Sequence, residues 1–180
     1  ETIELNGRRL TLLETAGHAN HHICIFDGQS QTGFTGDTFG LSYREFDTAN
    51  GAWIMAPTTP VAFDPDAWLE SLTKLMALNP KGMQLTHYSR ITEVERLGSL
   101  LRQNILDLSQ IARHAHETEP DAAKRKALMR QQISALLLGQ VRAHGCQLSD
   151  DQILAILEID IELNAQGLEV WLQRVAKKAA

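Results

Sequence analysis

The feature that most restricts this chain is a change of hydrophobic period near its middle. From Ile91 onward, apolar residues recur at three- and four-residue steps: Ile91, Val94, Leu97, Leu101, Ile105, Leu108 and Ile111. That spacing paints one face of a long helix. "ETEPDAA" ends it, and a second helix is expected from about Asp121 to Val141, with Leu128, Ile133, Leu136, Leu137 and Val141 on its apolar face and Gly145 beyond its end. Ser149-Asp150-Asp151-Gln152 has the spacing of a capping box and opens a third helix. Asn164-Ala165-Gln166-Gly167 is expected to interrupt that helix, leaving a short last one over 168–177.

Before residue 90 the runs are short and separated by turn residues. Ile3–Leu5 and Arg8–Leu13 flank Asn6-Gly7, a strong signal for a two-residue hairpin. Ile23-Cys24-Ile25-Phe26 is unbroken and apolar, which suits a strand covered on both faces. Thr32–Thr35 returns as a strand ending at Gly36-Asp37. Residues 38–65 hold Gly40, Gly51, Pro57, Pro60 and Pro65, and read as a long irregular connection around a short strand Trp53–Met55. Connections of this length are often functional. A helix is expected after Asp64, with Pro65 as its first residue, and a last strand over Met83–Thr86 ends at His87. The organisation expected is therefore a strand-rich part, 1–90, and a helical extension, 91–180.

Bulk properties exclude several functions. The net charge of −5 comes without a basic tract, so neither nucleic acid nor an anionic membrane is an expected partner. No stretch reaches the roughly 18 apolar residues of a membrane span. Cys24 and Cys146 lie far apart and form no CxxC, a usage that suits reduced thiols and a cytoplasmic protein.

Chemistry-bearing residues collect at the ends of the expected strands. His18 and Asp37 each follow a glycine, which permits a tight turn that presents the next side chain. His87 ends the last strand. Imidazole and carboxylate are donors that zinc, manganese and iron accept, and the two oxygens of Asp37 could bridge two ions. Spacing alone leaves open that these are inert, hydrogen-bonded polar residues.

Thr15-Ala16-Gly17-His18-Ala19-Asn20-His21-His22, Thr35-Gly36-Asp37-Thr38 and Leu85-Thr86-His87 resemble, in order and spacing, the "TPGHTxGH", "TGD" and "L-x-H" motifs of the metallo-β-lactamase superfamily. The resemblance covers roughly residues 1–90. It implies an α/β fold: the C-terminal half of an αββα sandwich, followed here by an all-α helical tail. By the family pattern His18 is a ligand of a first metal, His87 of a second, and Asp37 the bridging, catalytic ligand. His22 supports the site, and His21 has no counterpart. Two divalent ions are implied, with zinc favoured and iron or manganese also accepted by such donors. The activity implied is hydrolysis of an ester, thioester, lactone or related bond in a small molecule by a metal-bound hydroxide, with a glyoxalase-II-like branch in view. Tyr88 and Trp53 are substrate-contact candidates whose commoner fate is simple packing.

One motif of the family is missing. Its HxHxDH lies well upstream of "TPGH", and the only HxH here is His114-Ala115-His116, inside an expected helix where i and i+2 side chains diverge. The chain is therefore expected to be the C-terminal part of a larger hydrolase, inactive alone, with low metal occupancy and with apolar strand surface exposed. Two other readings stay open: a helical binding or oligomerisation module without catalysis, and an iron-dependent oxygenase on the same scaffold. Surplus apolar surface on the helices makes a homodimer the expected assembly. In "EIDIELNAQG", Glu158, Asp160, Glu162 and Asn164 alternate with apolar residues; an exposed acidic face is expected, and a carboxylate or Asn164 reaching the site mouth is the alternative.

Overall fold

A computed structural model describes residues 1–60, 62–87 and 89–179. Strands β1 (Thr2–Leu5) and β2 (Arg8–Glu14) form the hairpin, and Asn6 and Gly7 both take the positive φ that its tight turn demands. β3 (Ile23–Asp27), β4 (Thr32–Gly36), β5 (Gly82–Leu85) and β6 (Arg90–Ile91) complete one six-stranded sheet in the order β1-β2-β3-β4-β5-β6. β4 and β5 run parallel; every other neighbouring pair is antiparallel. The parallel pair needs a crossover, and α1 (Pro65–Met76) supplies it. Asp64 caps α1 by accepting from the Ala67 N–H at 3.1 Å, and Pro65 stands first in the helix.

Three long helices follow: α2 (Val94–Thr118), α3 (Ala122–Ala143) and α4 (Asp150–Ala179). Leu97, Leu101, Ile105 and Leu108 on α2, Met129, Ile133, Leu137 and Val141 on α3, and Ile153 and Leu157 on α4 are wholly buried. Each such side chain contributes roughly 1.5–3 kcal/mol by leaving water. Their core is continuous with Phe39, Phe46, Phe63 and Trp68 of the first half. The expected division at residue 90 falls inside β6, and Ile91 belongs to that strand rather than to α2. None of the described helices is long and apolar enough to cross a membrane.

Three expectations change. α4 is a single helix of 30 residues that continues through Asn164–Gly167. The glycine there serves a close helix–backbone approach, taken up below, and does not end the helix. Trp53–Met55 forms no strand, only an isolated bridge between Leu41 and Met55. The run Ile23–Phe26 is covered on one face only. Cys24 and Phe26 point into the core, whereas Ile23 is 51% exposed. Pairing places Ile3 opposite Leu10, Leu12 opposite Ile25 and Ile25 opposite Phe34, so these side chains share the open face, where Ile3, Leu5, Ile23 and Phe34 are the most exposed.

Candidate metal centre

Strand direction brings the candidates together. β4 and β5 are parallel, so their C-terminal ends, and hence Asp37 and His87, fall on one edge of the sheet. β3 is antiparallel to β4, so the β2–β3 loop carrying His18 and His22 opens on that same edge. The loop closes on itself through the Thr15 N–H, which donates to the His22 carbonyl at 2.9 Å.

His22 is spent on architecture. Its Nε2 accepts from the Asp37 backbone N–H at 3.2 Å, so a hydrogen on Nδ1 faces the Thr38 hydroxyl at 3.0 Å. The Thr38 hydroxyl in turn donates to the Thr15 hydroxyl at 3.2 Å. Burial, aided by neighbouring His18, holds the His22 imidazole below its ordinary pKa, in keeping with this neutral form. Gly36 allows it: φ is +51° there, and a Cβ would sit 2.3 Å from His22 Cε1.

His18 is buried against Trp68, ring edge to ring face at 5.7 Å. Its Nδ1 lies 2.8 Å from the Pro57 carbonyl, which can only accept, so Nδ1 carries the hydrogen and Nε2 keeps its lone pair. That Nε2 faces Asp37 Oδ2 at 3.5 Å, while Nε2 of the half-exposed His87 faces Asp37 Oδ1 at 3.4 Å. A charge-assisted hydrogen bond would draw nitrogen and oxygen to about 2.7–2.9 Å. Two donors each about 2.1 Å from one tetrahedral ion stand about 3.4 Å apart. The observed separations are those of a coordination edge. Asp37 Oδ1 is also buried and accepts no hydrogen bond from the described residues, a lone acceptor that a cation would satisfy. The donors therefore fit divalent cations as two pairs, one histidine to each oxygen of Asp37. Among the described residues no three His, Cys, Asp or Glu side chains close on one point.

The other candidates lie elsewhere. Trp53 is buried edge-on against Phe46, with ring centroids 5.2 Å apart. It borders a cavity of about 360 Å³ that none of His18, Asp37 or His87 lines. Tyr88 lies outside the described residues. His21 is exposed, as are His114 and His116 on α2.

α4 brings a carboxyl group toward His87. Of the four residues expected on an acidic face, Glu158 is exposed, but Asp160 and Asn164 are buried. Asp160 accepts a short hydrogen bond from the Tyr43 hydroxyl. Burial raises the Asp160 carboxyl above its ordinary pKa, against the opposing pull of the Tyr43 bond and of His87. The signal for these residues in the sequence was a polar residue standing where the helical period puts the core.

Residues 1–87 match the family described as Metallo-beta-lactamase superfamily. The metallo-beta-lactamase fold-containing protein ST1585 of Sulfurisphaera tokodaii is 34% identical over 87 residues, 48% of this chain and 30% of that protein. The crystal structure of ST1585 superposes over 93% of this chain and 48% of its own, with a TM-score of 0.53 at 23% identity. The sec-alkyl sulfatase PisA1 superposes over 97% of this chain and 25% of its own, with a TM-score of 0.50 at 15% identity. These structures share the fold, and the chain spans about half their length or less.

Proposed function

Residues 1–87 of this chain belong to the metallo-β-lactamase superfamily, and from that premise we propose that His18, Asp37 and His87 hold two divalent cations and serve hydrolysis. The bond cleaved is an ester, thioester, lactone or related linkage in a small molecule. Members of the superfamily are generally hydrolytic and usually bind divalent metals, and alkyl sulfatases are among them. The observation that carries the reading is the shared carboxylate of Asp37, one oxygen toward each histidine at coordination-edge distance.

The chain's own residues divide the work. Asp37 would supply one carboxylate oxygen to each cation, with its backbone N–H donating to His22. His18 presents a lone pair fixed by the Pro57 carbonyl. His87, on the exposed side, completes the second pair. Cations bound there would lower the pKa of water and polarise the bond attacked. Zinc is the proposed ion, although nitrogen and oxygen donors accept manganese and iron too.

Zinc titration calorimetry on the full chain tests the reading. Two weak equivalents are expected, because each pair supplies only two protein donors. Asp37→Ala should abolish both, and His18→Ala or His87→Ala should remove one. Undiminished zinc binding by Asp37→Ala would end the proposal.

A further inference from the structure

His18 is aimed by a backbone carbonyl, and that carbonyl belongs to a segment with no ladder of its own. Residues 56–60 have no regular secondary structure. Proline lacks an N–H, so the Pro57 peptide unit cannot be fixed by donating a hydrogen bond. It must be held by its neighbours.

One side chain holds both. Asn164 Nδ2 donates to the carbonyl of Ala56, before the proline, at 3.3 Å. Asn164 Oδ1 accepts from the N–H of Thr58, after the proline, at 2.6 Å, and from the Thr58 hydroxyl at 3.0 Å. The Thr58 hydroxyl also lies 3.3 Å from the Asn164 backbone carbonyl. A second helix steadies the same segment, since Asn104 on α2 accepts from the Ala56 N–H at 2.8 Å. Ala56, Thr58, Asn104 and Asn164 are all buried, so water does not compete for these bonds.

The approach of α4 is unusually close. A Cβ on Gly167, one turn after Asn164, would lie 1.5 Å from the Thr58 carbonyl oxygen. Any other residue there would push the helix away and draw the Asn164 amide out of reach. Gly167 sets the distance, and Asn164 uses it.

We propose that Asn164 is a positioning residue for the metal edge: by bracketing Pro57 it aims the Pro57 carbonyl at His18 Nδ1 and so keeps the Nε2 lone pair toward Asp37. The inference rests on the reading that His18 ligates a cation, and it makes the helical extension part of the site. Partners that orient a ligating histidine typically control metal affinity by about 10–100-fold. A plain structural role, in which Asn164 only satisfies buried backbone groups, would lower stability without touching the imidazole.

Histidine-labelled full chain, free of metal, separates the two by nitrogen–proton correlation spectra of the imidazole rings. The His18 signal is identified by its loss in His18→Gln. In the parent chain His18 should show hydrogen on Nδ1 alone. In Asn164→Ala, hydrogen should appear on Nε2 as well, and the Co²⁺ concentration that broadens the His18 signals should rise about 10–100-fold. Leu137→Ala, a buried truncation on α3 remote from residues 56–58, should lower the melting temperature and change neither reading. If Asn164→Ala does not fold, Asn164→Asp replaces it. That variant keeps both contacts from Thr58 but sets a carboxylate against the Ala56 carbonyl, and should move both readings in the same direction.

An unchanged His18 tautomer and Co²⁺ response in the folded Asn164 variant would overturn the proposal. The two readings can fail separately. A tautomer that shifts in a chain that never binds Co²⁺ leaves the bracket standing and removes the metal. Co²⁺ bound equally by parent and variant does the reverse.

Discussion

Tyr43 donates its hydroxyl hydrogen to Asp160 across 117 positions of the chain, joining the long connection after β4 to the middle of α4. The carboxyl it meets is held above its ordinary pKa, first by burial. The folded chain thus holds that proton more tightly than the unfolded chain does. Stability from this group is present below the ordinary carboxylate range and is lost as pH rises through the raised value. Asp160→Asn still accepts from Tyr43 but cannot ionise. It should raise the urea midpoint near neutral pH, with the gain vanishing in acid. A variant less stable than the parent near neutral pH but equal to it in acid would show that the Asp160 charge has a stabilising partner.

A methyl group added at Gly36 would meet His22 Cε1 at 2.3 Å. Gly36→Ala should therefore cost more than the roughly 1–2 kcal/mol of left-handed backbone alone. Pairing it with His22→Ala should return the excess and leave the backbone part. Urea denaturation of the two single variants and the double one measures this. Additive costs would mean that the turn yields without touching His22.

Much of the architecture was legible because it rests on local chemistry. Asn6-Gly7, Asp64-Pro65 and the capping box at Ser149, where the Gln152 side-chain oxygen accepts from the Ser149 N–H at 2.9 Å and the Ser149 hydroxyl from the Gln152 N–H at 3.3 Å, each act within a few residues. The stripe on α2 needs only its own period. The candidate site residues were legible as motifs at strand ends. Gly167 reads as a break, because a glycine that ends a helix and one that admits a neighbour look alike in sequence. The Pro57 carbonyl had no signature at all, since any residue carries one. Trp53 stood in a functional-looking connection that turns out to bury Phe39, Phe46, Ile54 and Met55 in the core.

Exposed large apolar residues lie on both parts of the chain, Leu100 and Leu106 on α2 and Ile159 and Val175 on α4, but those on the sheet are the ones that share a face. The long stripes of α2, α3 and α4 are buried within the chain, whereas Ile3, Leu5, Ile23 and Phe34 share one open sheet face. Contiguous patches of this kind mark association sites. The proposed homodimer should form through that face. Light scattering at micromolar concentration should give twice the chain mass, and Phe34→Asp should give the monomer. A dimer that survives Phe34→Asp and is lost in Ile159→Asp, on the outer side of α4, would move the contact to the helices.

Arg125 and Glu169 form a buried, two-pronged pair at 2.8 and 2.6 Å between α3 and α4. Burial pushes the Glu169 carboxyl up, but the Arg125 and Gln173 bonds outweigh it and hold the group below its ordinary pKa. The contribution of the pair is therefore present above the ordinary carboxylate range and lost as pH falls through the lowered value. Glu169→Gln should cost about 3–5 kcal/mol at neutral pH, because it strands a buried guanidinium. Thermal melts from neutral pH into acid should show the two chains converging. A constant gap would mean that packing, not charge, sets the loss.

The His18–Asp37–His87 edge is assembled from chain segments that are strangers in sequence. The parallel register sets Thr32 beside Gly82, and Asn164 reaches Thr58 across 106 positions, whereas α3 and α4 meet through a short connection. Closing long loops is slow, and short ones close first. In time, then, the helical pair is expected to form early and the His18–Asp37–His87 edge last. Hydrogen exchange on the native chain should show the same order reversed: amides around residues 15–22 and 56–58 open while those of α3 and α4 are still protected. The protein would lose the proposed site well before it loses its shape.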